Sequence, residues 1–122
     1  MREEFSSRFV RFLGVWVLFG GSLGCSWASE LPAPPSLAQG RALAAQNRCL
    51  ACHEIDARRV GPPFRAIAKR FGRQPAAAPV LAQAMRQGSS GQWGAIPMPA
   101  QTRLSQADAL LLARWILSLP AQ

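Results

Sequence analysis

The sequence predicts an all-α fold of four helices, two of them short. Three observations carry this prediction. Apolar residues recur at helical spacing in the C-terminal segment, helix caps and breakers punctuate the rest, and no segment shows the period-two alternation of a half-buried strand.

The elements follow in order. Glu30 to Pro35 (ELPAPP) is a Pro-rich lead-in that cannot be helical throughout, because proline lacks the N–H and clashes with the preceding turn. Ser36 is an N-cap for a helix from about Leu37 to Gln46, with Leu37, Leu43 and Ala44 available to its inner face. Gly40 inside that helix costs roughly 1 kcal/mol against Ala, which close approach of another helix would justify. Val60-Gly61-Pro62-Pro63 is a turn, followed by a short helix from about Pro63 to Phe71 that ends at Gly72. Gln74 to Pro79 reads as a loop, and a third helix runs from about Val80 to Gln87. Ser89 to Thr102, with two Gly and two Pro, is an irregular loop of 14 residues; loops of that length in compact domains are usually functional. Ser105 and Asp108 open the last helix with a capping-box-like pair. Leu104, Ala107, Leu111 and Trp115 recur along it, Leu110, Leu112, Ile116 and Leu119 widen its apolar face, and Pro120 stops it.

The 122 residues hold one domain, and the first 28 are not expected to belong to it. Arg2, Arg8 and Arg11 precede an apolar run from Phe12 to Leu23, and small or polar residues follow from Gly24 to Ser29. That order is the signature of an export signal, with cleavage after Ala28. An apolar run of about 12 residues is short for the roughly 20 that span a bilayer, which disfavours an uncleaved anchor. Ser22-Leu23-Gly24-Cys25 resembles a bacterial lipoprotein box, with Ser22 where Leu is usual. Cys25 is therefore either lipidated, tethering the protein to a membrane that faces the periplasm, or discarded with the signal. Residues 29–35 are then the lead-in and 36–122 the folded domain, placed in the periplasm.

The 94 residues after position 28 carry 11 basic and four acidic side chains, a formal net charge of +7. Such a surface either steers the protein toward an acidic partner or simply solvates it. Export and the lack of a recognition motif argue against nucleic acid. A domain of this size buries only about two-thirds of its unfolded surface. It keeps just two cysteines, both in one motif, so no structural disulfide is expected to reinforce the core. A large apolar cofactor would do so.

That motif is Cys49-Leu50-Ala51-Cys52-His53, the attachment signature of haem c. Each thiol adds across one porphyrin vinyl group, two intervening residues let both sulfurs reach one edge, and His53 is brought beneath the iron as an axial ligand. A thioredoxin-like C-x-x-C would need a βαβ context, and a zinc site would need further Cys or His ligands. The sequence expectation is therefore one covalently attached haem c. The chain has a single His, so bis-His ligation is excluded. Past the export segment only Met85 and Met98 offer a thioether. Met85 sits in the third helix, where Met often fills core gaps. Met98, between Pro97 and Pro99, lies on a backbone restricted from both sides and is the expected sixth ligand. His/Met ligation raises the reduction potential and fills both axial positions. Single-electron transfer, not catalysis, follows from such a site, and no second His or paired carboxylates argue for an enzyme.

The chain resembles the small class I bacterial cytochromes of the c-551/c8 type. The resemblance rests on CLACH (Cys49 to His53), VGPPF (Val60 to Phe64), GSSGQWGAIPMP (Gly88 to Pro99) and LLARWILS (Leu111 to Ser118), and covers about Ala38 to Leu119. It implies the class I cytochrome c fold, about four helices wrapped around one covalently bound haem. It also implies His53 and Met98 as the iron ligands. Three further roles come from the resemblance alone. The Pro62 carbonyl would accept the second ring N–H of His53. Trp93 would meet a haem propionate, plain core packing being its alternative. Trp115 would cross the first helix near Gly40. Pro63 departs from the Ala of many relatives.

The expected function is a monohaem electron carrier that serves redox protein partners, such as a reductase, oxidase or dehydrogenase. Arg48, Arg58 and Arg59 would ring the exposed haem edge and meet an acidic docking face. A dedicated cytochrome subunit of a periplasmic dehydrogenase complex is the alternative. A haem enzyme or gas sensor would need a vacant sixth position.

Overall fold

The computed structural model describes residues 33–121, so the predicted export segment at 1–28, with Cys25 in it, and the lead-in at 29–32 lie outside the described residues. The elements are α1 (Leu37–Gln46), a 3₁₀ turn (Cys49–Ala51), α2 (Phe64–Phe71), α3 (Ala77–Gln87) and α4 (Gln106–Ser118). Among the described residues the fold is all-α, with one isolated antiparallel bridge between Ser89 and Met98.

Helix α4 is the hub, packing against α1, α2 and α3. Its start is set by Ser105, whose hydroxyl oxygen accepts from the Asp108 N–H at 3.0 Å and whose O–H donates to the Asp108 carboxylate at 2.8 Å. The buried positions are Ala109, Leu112, Ala113, Trp115 and Ile116, while Ala107 is exposed and Leu111 only partly buried. This corrects the apolar stripe drawn from the sequence. A helix touched by three neighbours buries more than one face, and its small alanines fall where the backbones approach.

Helix α1 begins at Ser36 with a full capping box, the Ser36 hydroxyl accepting from the Gln39 N–H and the Gln39 side chain accepting from the Ser36 N–H at 2.9 Å. Ala44 and Gly40 face inward, but Leu37 is 56% exposed and does not join the inner face. Gly40 has its reason in Trp115, which is fully buried: a Cβ at position 40 would fall inside the indole ring. The missing side chain lets α1 and α4 cross at contact distance, as ridge-and-groove packing of helices requires.

Helix α2 presents Phe64, Ile67 and Ala68 to the core and carries Lys69 and Arg70 in its last turn, where cations complement the helix dipole. Helix α3 starts at Ala77, three residues before the predicted Val80, and so takes in part of the predicted loop. Pro79, expected as the last residue of that loop, occupies the first turn of the helix. There its missing N–H has no intrahelical partner to lose, and the carbonyl its ring would strike lies outside the helix. The long Gly88–Thr102 connection is closed on itself: Ser89 and Met98 exchange backbone hydrogen bonds at 3.0 and 2.8 Å, and the Gln101 N–H donates to the Met85 carbonyl at 2.9 Å.

Candidate functional site

The Cys49–His53 motif forms one tight turn. The Cys52 and His53 N–H groups both donate to the Cys49 carbonyl, at 3.2 and 2.9 Å. Arg48 enters this turn in the left-handed region, at φ 59°. The turn sets Cys49, Cys52 and His53 on one wall of a cleft of about 390 Å³. Neither cysteine is in a disulfide; Cys49 is partly buried and Cys52 exposed. Burial pushes the Cys49 thiol up from its ordinary range, partly offset by a backbone hydrogen bond that favours the thiolate.

His53 is the buried polar side chain of the described core, 8% exposed. Its Nδ1–H donates to the Pro62 carbonyl at 2.8 Å. A carbonyl can only accept, so the proton sits on Nδ1, and in the neutral ring the lone pair is left on Nε2. The ring stacks on Phe64 with centroids 5.3 Å apart and planes 15° from parallel. Gly61 also presses on the ring so closely that a Cβ there would lie 2.7 Å from Nδ1 and 2.9 Å from Nε2. The imidazole is thus fixed by a hydrogen bond, a stacked ring and a bare backbone.

Facing residues complete the cleft. Phe64, Ile67, Leu81, Met85, Leu112 and Ile116 line it from α2, α3 and α4, and Trp93 and Met98 from the Gly88–Thr102 loop. Both Met85 and Met98 therefore reach the cleft; Met85 is buried in the core, whereas Met98 is partly buried on the loop. Trp93 is partly buried, against Phe71 at a ring separation of 6.5 Å. Its carbonyl accepts from Arg58 at 3.2 Å, and the Arg70 guanidinium lies 4.8 Å from its ring centroid. Sequence reading missed both arginine contacts. They join residues far apart in the chain, and no local pattern encodes such a pair.

The donor set tests which cofactor these residues fit. Among the described residues no group of three His, Cys, Asp or Glu side chains could hold a bare metal ion. Two thiols one turn apart, an oriented imidazole and a thioether around an apolar cleft suit instead a flat metalloporphyrin attached through the thiols.

Comparison with known proteins decides the matter. The cytochrome c family model matches residues 37–120. The chain belongs to the cytochrome c family. It is 41% identical over 99 residues to cytochrome c-552 of Nitrosomonas europaea, covering 77% of this chain and 96% of that protein. It is 46% identical over 70 residues to cytochrome c-551 of Pseudomonas aeruginosa, covering 57% of this chain and 66% of that one. The crystal structure of wild-type Nitrosomonas europaea cytochrome c552 superposes with a TM-score of 0.65 at 45% identity, covering 66% of this chain and 99% of that chain. This cytochrome is accordingly a monohaem electron carrier, not an enzyme. It carries one covalent haem c, attached at the Cys49, Cys52 and His53 motif.

Proposed function

We propose that the cytochrome carries single electrons between redox proteins of the periplasm with an iron ligated by His53 and Met98. The observation that supports this reading best is the orientation of His53. Its Nδ1–H is held by the Pro62 carbonyl, which leaves Nε2 as the donor atom at a cleft that Met98 also lines. When bound, the haem iron supplies a one-electron couple. The protein's own part would be to hold the iron through His53 and Met98 and to exclude water, so that little rearranges when the charge changes. Met98 is preferred to Met85 because its flanking prolines restrict the loop backbone, while the Met85 side chain is committed to the core. Trp93, at the cleft beside Arg58 and Arg70, is the candidate for the propionate side.

The docking face of this reading is the cleft mouth. Val60 and Ile96 border the cleft and are 50% and 67% exposed, and exposed Arg48, Arg58 and Arg59 lie on the Cys49–Pro62 side. An apolar patch with a basic rim fits a partner that has an acidic rim of its own. Export through residues 1–28 would place the cytochrome in the periplasm. Membrane association, on this reading, would depend on lipid at Cys25; no helix among the described residues is long and apolar enough to cross a membrane.

Replacing Met98 with Ala in the haem-loaded protein tests the ligand assignment. The reduction potential should fall, since a thioether is lost, and the reduced protein should bind carbon monoxide. A variant that keeps the parental potential and stays closed to carbon monoxide would remove Met98 from the ligand set.

A further inference from the structure

Arg70 stands outside the ligand set and outside the haem motif, yet its guanidinium makes several contacts to one dipeptide of the Met98 loop. It lies 4.8 Å from the Trp93 ring centroid and 5.5 Å from that of Phe71. It also donates to the Gln92 backbone carbonyl and, at 3.3 Å, to Gln92 Oε1. A planar guanidinium does both at once: its edge donates while its face meets aromatic rings, which an ammonium cannot reproduce. Arg58 holds the next carbonyl, that of Trp93, at 3.2 Å. The stretch they grip is otherwise open to solvent. Ser90, Gly91, Gln92, Gly94, Ala95 and Ile96 are all exposed, and Gly91 and Gly94 take φ of 69° and 121°. Such a stretch has few buried contacts of its own to hold it against the cleft, the condition under which local opening is favoured.

We propose that Arg70, on the last turn of α2, is a positioning residue for Met98. It pins Gln92 and Trp93 to the body of the protein, so that the loop closes over the cleft with its thioether held in place. The inference rests on the Met98 assignment proposed above. Its physical content is an equilibrium between a closed loop and a loop that has let go. An external ligand for the iron competes only with the second population, so its apparent affinity rises in proportion to that population.

The test is a titration of the ferric, haem-loaded protein with imidazole, followed by absorbance. Replacing Arg70 with Ala removes two charge-assisted hydrogen bonds and two cation–π contacts, and should raise the apparent imidazole affinity about tenfold. Arg70→Lys keeps the charge but loses the planar fork, and should fall between Ala and the parent. Arg65→Ala serves as the comparison for simple destabilisation. Arg65 bridges Asp56 at 2.5 Å and the Pro120 carbonyl at 3.0 Å, partners that both lie outside the loop, so this variant should lower thermal stability and leave imidazole affinity unchanged. Met98→Ala should bind imidazole far more tightly than any of these. If Met98→Ala opens the iron and Arg70→Ala does not, the clamp is wrong and the ligand assignment stands. Equal gains in Arg70→Ala and Arg65→Ala would reduce Arg70 to general stability and overturn the inference. If Met98→Ala itself changes nothing, the ligand assignment fails and the clamp falls with it.

Discussion

On the Cys49–Pro62 flank of the cleft, backbone hydrogen bonds tie the chain to itself and to the start of α2. The Gly61 N–H donates to the Cys52 carbonyl and the Phe64 N–H to the Glu54 carbonyl, both at 2.8 Å, and the Arg65 N–H reaches the Ile55 carbonyl at 3.2 Å. Across the cleft, Gly88–Thr102 rests on one backbone bridge, the Gln101 tie to Met85 and side-chain contacts from two arginines. The first flank encloses its imidazole on several sides at once. The second presents its methionine on a loop whose individual ties are each worth only about 1 kcal/mol net. A perturbation of the first flank should therefore be felt by the whole domain, while perturbation of the second should cost less stability and act chiefly on access to the iron.

The sharpest way to break this contrast is Gly61→Ala. The added Cβ would press on the His53 ring, and the ring cannot retreat, being stacked on Phe64 and bonded to Pro62. Overpacking of this kind costs about 2–3 kcal/mol, which in a domain of this size is on the order of 10 °C or more in unfolding midpoint. Thermal unfolding followed by circular dichroism measures it. A midpoint within a degree or two of the parent would mean that the imidazole flank yields as easily as the loop.

Gly88→Ala strikes the base of the other flank. Gly88 takes φ 81°, and its Cβ would lie 2.8 Å from the Met98 carbonyl oxygen. With ψ 171° this is a backbone region open essentially to glycine alone, and it costs another residue about 1–3 kcal/mol, while the contact pushes on the backbone bridge that carries Met98. The expected pattern is a smaller loss of stability than at Gly61, together with easier entry of imidazole to the ferric iron. A variant that loses stability without any gain in imidazole affinity would show the loop to be as integral to the fold as the motif flank.

The same contrast explains which parts could be read from sequence. The motif flank is local: Cys49, Cys52 and His53 lie within one turn, so spacing alone brought out their chemistry, whereas the role of the Pro62 carbonyl came only through the family resemblance and the approach of Gly61 to the ring went unread. The caps at Ser36 and Ser105 and the breaks at Gly72 and Pro120 are local as well. Gly40 could be flagged as costly, but Trp115 was matched to it only through the family resemblance. What escaped is long-range or ambiguous. Pro79 breaks a helix interior and suits a helix start, and only the position of Ala77 decides between the two. The burial of Ala109 and Ala113 in preference to Ala107 depends on three neighbours at once. Arg70 looks like any basic residue in a last helical turn until the fold brings Gln92 and Trp93 beneath it.

The smallest effect belongs to the one acidic–basic pair on the motif flank that is open to water on both sides. Glu54 and Arg59 approach to 3.7 Å with side chains 49% and 51% exposed. Exposed pairs of this kind contribute from nothing to about 1 kcal/mol, because solvent screens the attraction and two long side chains lose freedom to make it. Arg59 has a second anchor, donating to the Leu50 carbonyl at 3.0 Å, so it need not move when the carboxylate is neutralised. Glu54→Gln should therefore change unfolding free energy by less than about 0.5 kcal/mol in denaturant titration, and added salt should erase what difference there is. A loss several times larger would mean that surface charge, and not the backbone network around Cys52, Gly61 and Phe64, is what makes this flank the firmer of the two.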